Sequence, residues 1–405
     1  MMLPTDKNNP QPRFAGVLLV MGILLIAANL RAPFTGIAPV LEQIIDHYTL
    51  SGSQAGFITT LPLIAFAIIS PMAAMFARRQ GLEQSLFVAL ILILLGILAR
   101  VFDSSIMLFV GTAVIGVGIA IANVLLPSLI KRDFATKVAL MTSAYVLTMG
   151  VASGGFSALV FPLSQLNGLG WQLALGSSAI LTVATLIVWI AQLGKHTKPA
   201  SRSQFAPSSK SVWRYLLAWQ ITLLLGLNSF LTYIIITWLP SILTETGHSA
   251  VEAGAYHGAF QIATALPGLV LIPLLAKLKD QSALSFILGL LSASSAIGLL
   301  YMPDLAFFWT IMLGFCSGGC FILGLSFISL RTDDPHQAAS LSGMSQSVGY
   351  LLAAIGPMMA GALHTSTGSW KGPLWLCIIA ALLCALCGFG GGRNTTLNKS
   401  VNSVG

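Results

Sequence analysis

An all-α integral membrane protein of about twelve transmembrane helices, arranged as two pseudo-symmetric six-helix bundles, is the fold class that three observations predict. The first is composition: of 405 residues 56% are hydrophobic and 8% charged, and the mean hydropathy is +0.87. A soluble domain carries roughly 25% charge. The second is segmentation. Apolar runs fall at 14–45, 53–77, 83–102, 105–130, 136–163, 171–194, 213–244, 250–276, 282–302, 305–330, 337–364 and 372–391, and about 20 helical residues cross a bilayer core. The third is a polar interruption, 195–212, with Pro, Ser and four cations. It reads as a cytoplasmic linker dividing the chain into 1–194 and 213–405.

Cations set the orientation, because cytoplasmic loops carry the Lys and Arg excess. With the N-terminus inside, seventeen of the twenty Lys and Arg residues fall on the inner side, and only Arg100 and Lys371 fall outside. A multi-pass protein of the inner (cytoplasmic) membrane with both termini cytoplasmic is expected. The net charge of +8 is scattered through short loops rather than clustered, which argues against a nucleic-acid partner. The run after the polar residues 1–13 is too long for a cleaved signal peptide and has no small-residue cleavage site, so the first helix is expected to be retained.

The first run holds the most informative residue, Arg31, near the bilayer midplane. A permanent cation there costs about 3 kcal/mol on insertion scales, so it faces protein or a water-filled cavity and often marks a substrate path. Pro33 removes a backbone donor, Gly36 lowers resistance to bending, and Thr35 shares a face with Arg31. A bent helix facing a cavity is predicted. No carboxylate lies at the midplane: Glu42, Asp46, Asp103, Glu245, Glu252 and Asp304 all fall near the outer side. An unpaired guanidinium suits a small anion or a planar polar molecule with acceptor atoms.

The second and eighth runs open alike, with Ser51-Gly-Ser-Gln-Ala-Gly56 and Ser249-Ala-Val-Glu-Ala-Gly254. Each is a capping box, in which Ser takes an orphan helix N–H and Gln54 or Glu252 reaches back. The fourth and tenth runs both begin Thr-x-x-x-Gly, at Thr112 and Thr310, and end at Lys131-Arg132 and Arg331. Repeats in phase across two halves are how parallel-repeat transporters read. Polar residues within later runs are candidate cavity groups: Asn123 in the fourth, Tyr145 in the fifth, Asn228 in the seventh, Gln346 and Tyr350 in the eleventh. Each also has a plain packing role open to it. In the eighth run His257 and Gln261 share a face, and a histidine could gate or couple protons where no carboxylate can.

Catalytic machinery is not visible. The chain lacks a G-x-x-x-x-G-K-[ST] loop, H-E-x-x-H, G-x-S-x-G and a paired intramembrane carboxylate, so neither a nucleotide-driven pump of that kind nor an enzyme is predicted. The five cysteines lack nearby His or acidic partners and read as packing residues, so no metal or other cofactor is expected.

Five segments together resemble the major facilitator superfamily, in the branch of cyanate and 2-nitroimidazole transporters. They are L-R-A-P-F-T-G-I-A-P at 30–39, T-T-L-P-L-I-A-F-A-I-I-S-P at 59–71, N-V-L-L-P-S-L-I-K-R-D-F at 123–134, L-A-W-Q-I-T-L-L-L-G-L-N-S at 217–229 and H-Q-A-A-S-L-S-G-M-S-Q-S-V-G-Y-L-L-A-A-I-G-P at 336–357. The resemblance implies two six-helix bundles around a central cavity, alternating access, and Arg31, Gln346 and Tyr350 as cavity residues. The superfamily's G-x-x-x-D-R-x-G-R signature is eroded to Ala74-Met-Phe-Ala-Arg78-Arg79-Gln-Gly81-Leu82. Arg79 matches as a gating residue, but Arg78 replaces the Asp, leaving Glu83 or Asp133 as substitutes.

The expected function is secondary active or facilitative transport of a small anion or polar heterocycle. A drug/proton efflux antiporter is the alternative, and a non-transporting membrane receptor a remote one. Expected partners are a small-molecule substrate and the lipid bilayer, with protons coupled through His257 or no coupling ion at all, in a monomer.

Overall fold

The computed structural model describes residues 13–168, 170–194, 212–275, 277–333 and 335–398. Of the linker expected at 195–212, Val212 alone is among them, and both chain ends lie outside. The first passage is assembled from α1 (Arg13–Asn29), α2 (Ala32–Thr35), a 3-10 turn at Ala38–Val40 and α3 (Leu41–Tyr48). There follow α4 (Gly52–Gln80), α5 (Leu82–Val101), α6 (Ser105–Asp133), α7 (Val138–Gln165), α8 (Gly170–Gly176) and α9 (Ser178–Ile190). The second half comprises α10 (Leu216–Glu245), α11 (Ala250–Ala265), α12 (Pro267–Leu275), α13 (Ser282–Tyr301), α14 (Ala306–Leu330), α15 (Pro335–Thr367) and α16 (Lys371–Gly391).

Eleven described stretches are long and apolar enough to cross a membrane. The twelfth passage is α11 with α12, which the sequence reads as one run at 250–276. Pro267 has no N–H to donate back into the preceding turn, and the helix is interrupted at Leu266. The first passage breaks as Pro33 predicts, one residue earlier than a simple kink. Arg31 leaves helical geometry at φ −131 and ψ −42 and caps α2, whose second residue is the proline. Both capping boxes form: Gln54 N–H reaches Ser51 Oγ and Glu252 N–H reaches Ser249 Oγ, at 3.3 and 3.2 Å.

For description, the face bearing the end of α3 and the start of α4 is called outer, and the opposite face inner. The halves meet along two seams, α4 with α15 and α7 with α11. Gly52 faces Gly361 and Gly154 faces Gly258 so closely that neither pair leaves room for a Cβ, which is how helices without a hydrophobic driving force come together in lipid. Thr60 Oγ1 donates to the Ala354 carbonyl at 2.7 Å, Gly52 N–H to Thr365 Oγ1 at 3.2 Å, and Thr59 pairs with Thr237 of α10 at 2.8 Å. All of these lie toward the outer face. Nearer the inner face the seam helices carry exposed side chains, Met72 and Met75 on α4, Leu140 on α7, Leu269 on α12 and Gln346 on α15. The closest of these contacts between the halves lie toward the outer side.

Each half also has its own rim of polar contacts. At the outer face His47 Nε2 and Tyr48 Oη meet Asp103 Oδ1 at 2.6 and 3.1 Å in one half. In the other, His364 meets Glu245 at 3.1 Å and stacks on Trp370.

Candidate substrate site

Arg31 sits at the interruption of the first passage, where no continuous helix constrains its side chain. It points across to the second half. Its Nη1 donates to Thr264 Oγ1 on α11 at 3.2 Å, and that hydroxyl donates on to the Gln261 carbonyl at 2.7 Å. One turn earlier the Gln261 side-chain amide donates to His257 Nε2 at 3.2 Å. His257 and Gln261 are fully buried. The Gln261 Oε1 has no partner, and His257 Nδ1 faces the Ile236 backbone of α10 short of a well-formed hydrogen bond. Among the described residues the ion pairs are His47–Asp103, Arg132–Glu83, Arg132–Asp133 and His364–Glu245, and none involves Arg31. A guanidinium in a low-dielectric interior without a carboxylate keeps its charge and planar donors free for a ligand's acceptors.

Aromatic rings flank this cation. Tyr233 of α10 lies within electrostatic reach of both Arg31 and Tyr350, and its ring stands 6.1 Å from that of Phe34, three residues after Arg31. Tyr350 of α15 packs edge-on to Phe66 of α4, also at 6.1 Å. Both pairs join one half to the other, and Leu63, Ala353 and Ala354 close the apolar layer beside Phe66 and Tyr233. The result is one charged group, a line of neutral hydrogen-bonding groups, and aromatic faces. That chemistry fits a small planar or anionic solute.

Of the sequence-predicted residues, the structure brings Arg31, His257, Gln261 and Tyr350 into this neighbourhood. The others make contacts of their own or are half-buried. Thr35 is buried and hydrogen-bonds Ser153 of α7 at 2.8 Å, as well as the Arg31 carbonyl, so it fastens the first passage to the fifth. Asn228 donates to the Ser317 carbonyl of α14 at 3.1 Å, beside a Thr232–Ser317 hydroxyl pair. Gln346 is exposed and bonds back to Ser342 at 3.1 Å. Asn123 on α6 and Tyr145 on α7 are half-buried.

Arg79 at the inner end of α4 is exposed. Four residues further on, Glu83, nearly fully buried, pairs with Arg132 at 2.8 Å and so ties the start of α5 to the end of α6. Asp133 is held by the same guanidinium at 2.7 Å.

Sequence reasoning missed Tyr233 and Thr264, which lie mid-passage with no motif around them. It also missed the burial of Arg100. Counted as an outer cation, Arg100 is in the last turn of α5, at its outer end, and fully buried.

The family model of the Major Facilitator Superfamily matches residues 19–357. The chain is 50% identical over 378 residues to the 2-nitroimidazole transporter of Escherichia coli (strain K12), covering 93% of this chain and 96% of that protein. It is 25% identical over 381 residues to the cyanate transport protein CynX of the same organism, covering 91% and 96%. Among solved structures, the D-xylose-proton symporter aligns over 95% of this chain and 99% of its own with a TM-score of 0.70 at 14% identity, a likeness of fold. With the helical architecture, these matches establish that the chain belongs to the Major Facilitator Superfamily.

Proposed function

We propose that this transporter moves a small anion or small polar heterocycle, of the cyanate or 2-nitroimidazole kind, by alternating access. The observation that carries the proposal is Arg31, set at the break of the first passage, aimed across the interface and without a carboxylate among the described residues. A substrate accepting hydrogen bonds from the guanidinium while lying against Tyr233 or Tyr350 would be held by both halves at once, which is the geometry that couples binding to rocking. The names of the two relatives support the substrate class, since both solutes are small and carry acceptor atoms suited to a planar donor fork.

The working unit is a monomer in the inner membrane with both termini cytoplasmic, and its role is transport rather than catalysis. His257 is the group through which protons would be coupled. Purified protein in proteoliposomes tests the substrate class: 2-nitroimidazole and cyanate are expected to exchange across the membrane and to compete with each other, whereas apolar drugs of greater bulk are not. Competition by the drugs alone would transfer the chain to the efflux class. A cytoplasm-active reporter fused after residue 405 is expected to give signal, and one inserted at 168 is not; signal at 168 would reverse the orientation.

A further inference from the structure

Arg100 is fully buried in the first half, and neither its charge nor its position is used by the recognition scheme above. Burying an ion without a counter-charge costs several kcal/mol unless its donors are met. Here Nη2 donates to the Pro33 carbonyl at 2.8 Å, while Nε and Nη1 have no partner. The burial is built in. Gly96 of α5 and Gly111 of α6 meet with no room for a Cβ, and a Cβ on Gly111 would stand 2.9 Å from Arg100 Cγ. Two glycines thus bring α6 down over the arginine stem and aim its head inward toward the first passage.

The Pro33 carbonyl is one that the interruption sets free. In a continuous α-helix it would accept from the N–H of Ile37, but that N–H turns to Phe34 O at 3.5 Å in the tight turn that follows. Arg31 lies two residues before that carbonyl and Phe34 one after it. Whatever fixes the carbonyl fixes the cap of α2, and with it the direction of Arg31.

We propose that Arg100 is a positioning residue, which holds the Pro33 carbonyl and so keeps the broken first passage in the shape that aims Arg31 at α11. The proposal rests on the reading of Arg31 as the substrate-recognition group. A charged donor suits this role, because the bond it makes is about twice as strong as a neutral one and its positive charge faces the carbonyl end of a short helical turn.

The test combines hydrogen–deuterium exchange over residues 30–40 with binding and transport of 2-nitroimidazole, in the full-length wild type and in Arg100→Gln, Arg100→Lys and Arg31→Gln. In Arg100→Gln, exchange across 30–40 is expected to quicken about tenfold and affinity to weaken about tenfold, with turnover at saturation within about twofold of wild type. Arg100→Lys, which keeps a charged donor, should recover most of both. A folded Arg100→Gln with wild-type exchange and affinity overturns the proposal, as does an Arg100→Lys no better than Arg100→Gln. If Arg100→Gln fails to fold, Arg100→Lys decides: faster exchange confined to 30–40 with weakened affinity supports the role, and a global rise in exchange overturns it. Arg31→Gln with undiminished affinity removes the recognition reading instead, and the exchange measurement still decides whether Arg100 holds Pro33.

Discussion

At the inner end of the first half Arg132 is met by the carboxylate of Glu83, whereas at the matching end of the second half Arg331 is met by the amide of Gln281 and the carbonyls of Gly391 and Gly392. Both arginines stand at the end of the fourth passage of their half, and both reach the start of the third. The plan is repeated but the contact is not: Arg331 is met directly by neutral groups, with the Asp280 carboxylate acting on it only through space. The same asymmetry holds at the centre: the first half supplies Arg31, and the second supplies Thr264, Gln261, His257 and Tyr233. One half therefore presents charge and the other neutral hydrogen bonds and rings. On the proposed reading, a ligand that bridges them has to satisfy both kinds of surface, and selectivity then rests on the pairing of the two rather than on either alone.

The sharpest way to break that comparison is to remove the central charge. Arg31→Ala and Arg31→Lys are each expected to reduce transport of 2-nitroimidazole by about a hundredfold or more, with elution profile and melting temperature largely retained. Lys keeps the charge without the planar fork, so Arg31→Lys with full activity would make the guanidinium geometry irrelevant.

Next in size is the inner pair. Glu83→Gln leaves Arg132 with Asp133 as its carboxylate partner but removes the one that joins α5 to α6, which should cost about 1 kcal/mol. Gln281→Glu, the reverse exchange, should be tolerated or stabilising at neutral pH, because Arg331 would gain a carboxylate in direct contact beside the Asp280 charge that already acts on it through space. Thermal unfolding in detergent measures both, and equal losses in the two variants would erase the distinction between the halves.

Smaller again is the neutral side of the site. Thr264→Val keeps the shape but removes the hydroxyl that receives Arg31, and should weaken 2-nitroimidazole binding about fivefold, as read by titration. An unchanged affinity would leave Thr264 as a packing residue.

The least effect is expected at the outer rim, where hydrogen bonds from His47, then Tyr48, hold the Asp103 carboxyl below its ordinary range. A depressed carboxyl contributes stability that is present above its unfolded value, about pH 3.9, and is lost as pH falls through the folded one. Asp103 is largely exposed, so the shift in melting temperature between pH 6 and pH 3 should be slight and should vanish in Asp103→Asn. A larger shift retained in the variant would place the acid-sensitive group elsewhere.

What could be read from the chain divides along physical lines. Local devices were legible: the capping boxes at Ser51 and Ser249, the break ahead of Pro33, the length of each passage. They depend on a few consecutive residues and on backbone chemistry. Arg31 was legible because a cation in an apolar run is costly wherever the run folds. Tyr233 and Thr264 were not, since a tyrosine and a threonine are ordinary within a passage and gain meaning only from the helix opposite. The asymmetry between Glu83 and Gln281 was half visible, as a missing Asp in the signature, but its answer lay in an inter-helix contact. Thr35 shows the converse. Its place on the Arg31 face suggested a ligand contact, and its hydroxyl instead serves Ser153 of α7, a neighbour no periodicity reveals.

The outer contact between the halves is fastened by glycine against glycine and by hydroxyl pairs, while the ion pairs found among the described residues each stay within one half. A closure of that kind is indifferent to ionic strength, because screening acts on charges and there are none in the contact. It responds to volume. Each methyl added at Gly52, Gly154, Gly258 or Gly361 acts as a wedge of graded thickness, so the balance between shut and open outer faces can be tuned sterically in small steps without altering the chemistry of the chamber beneath.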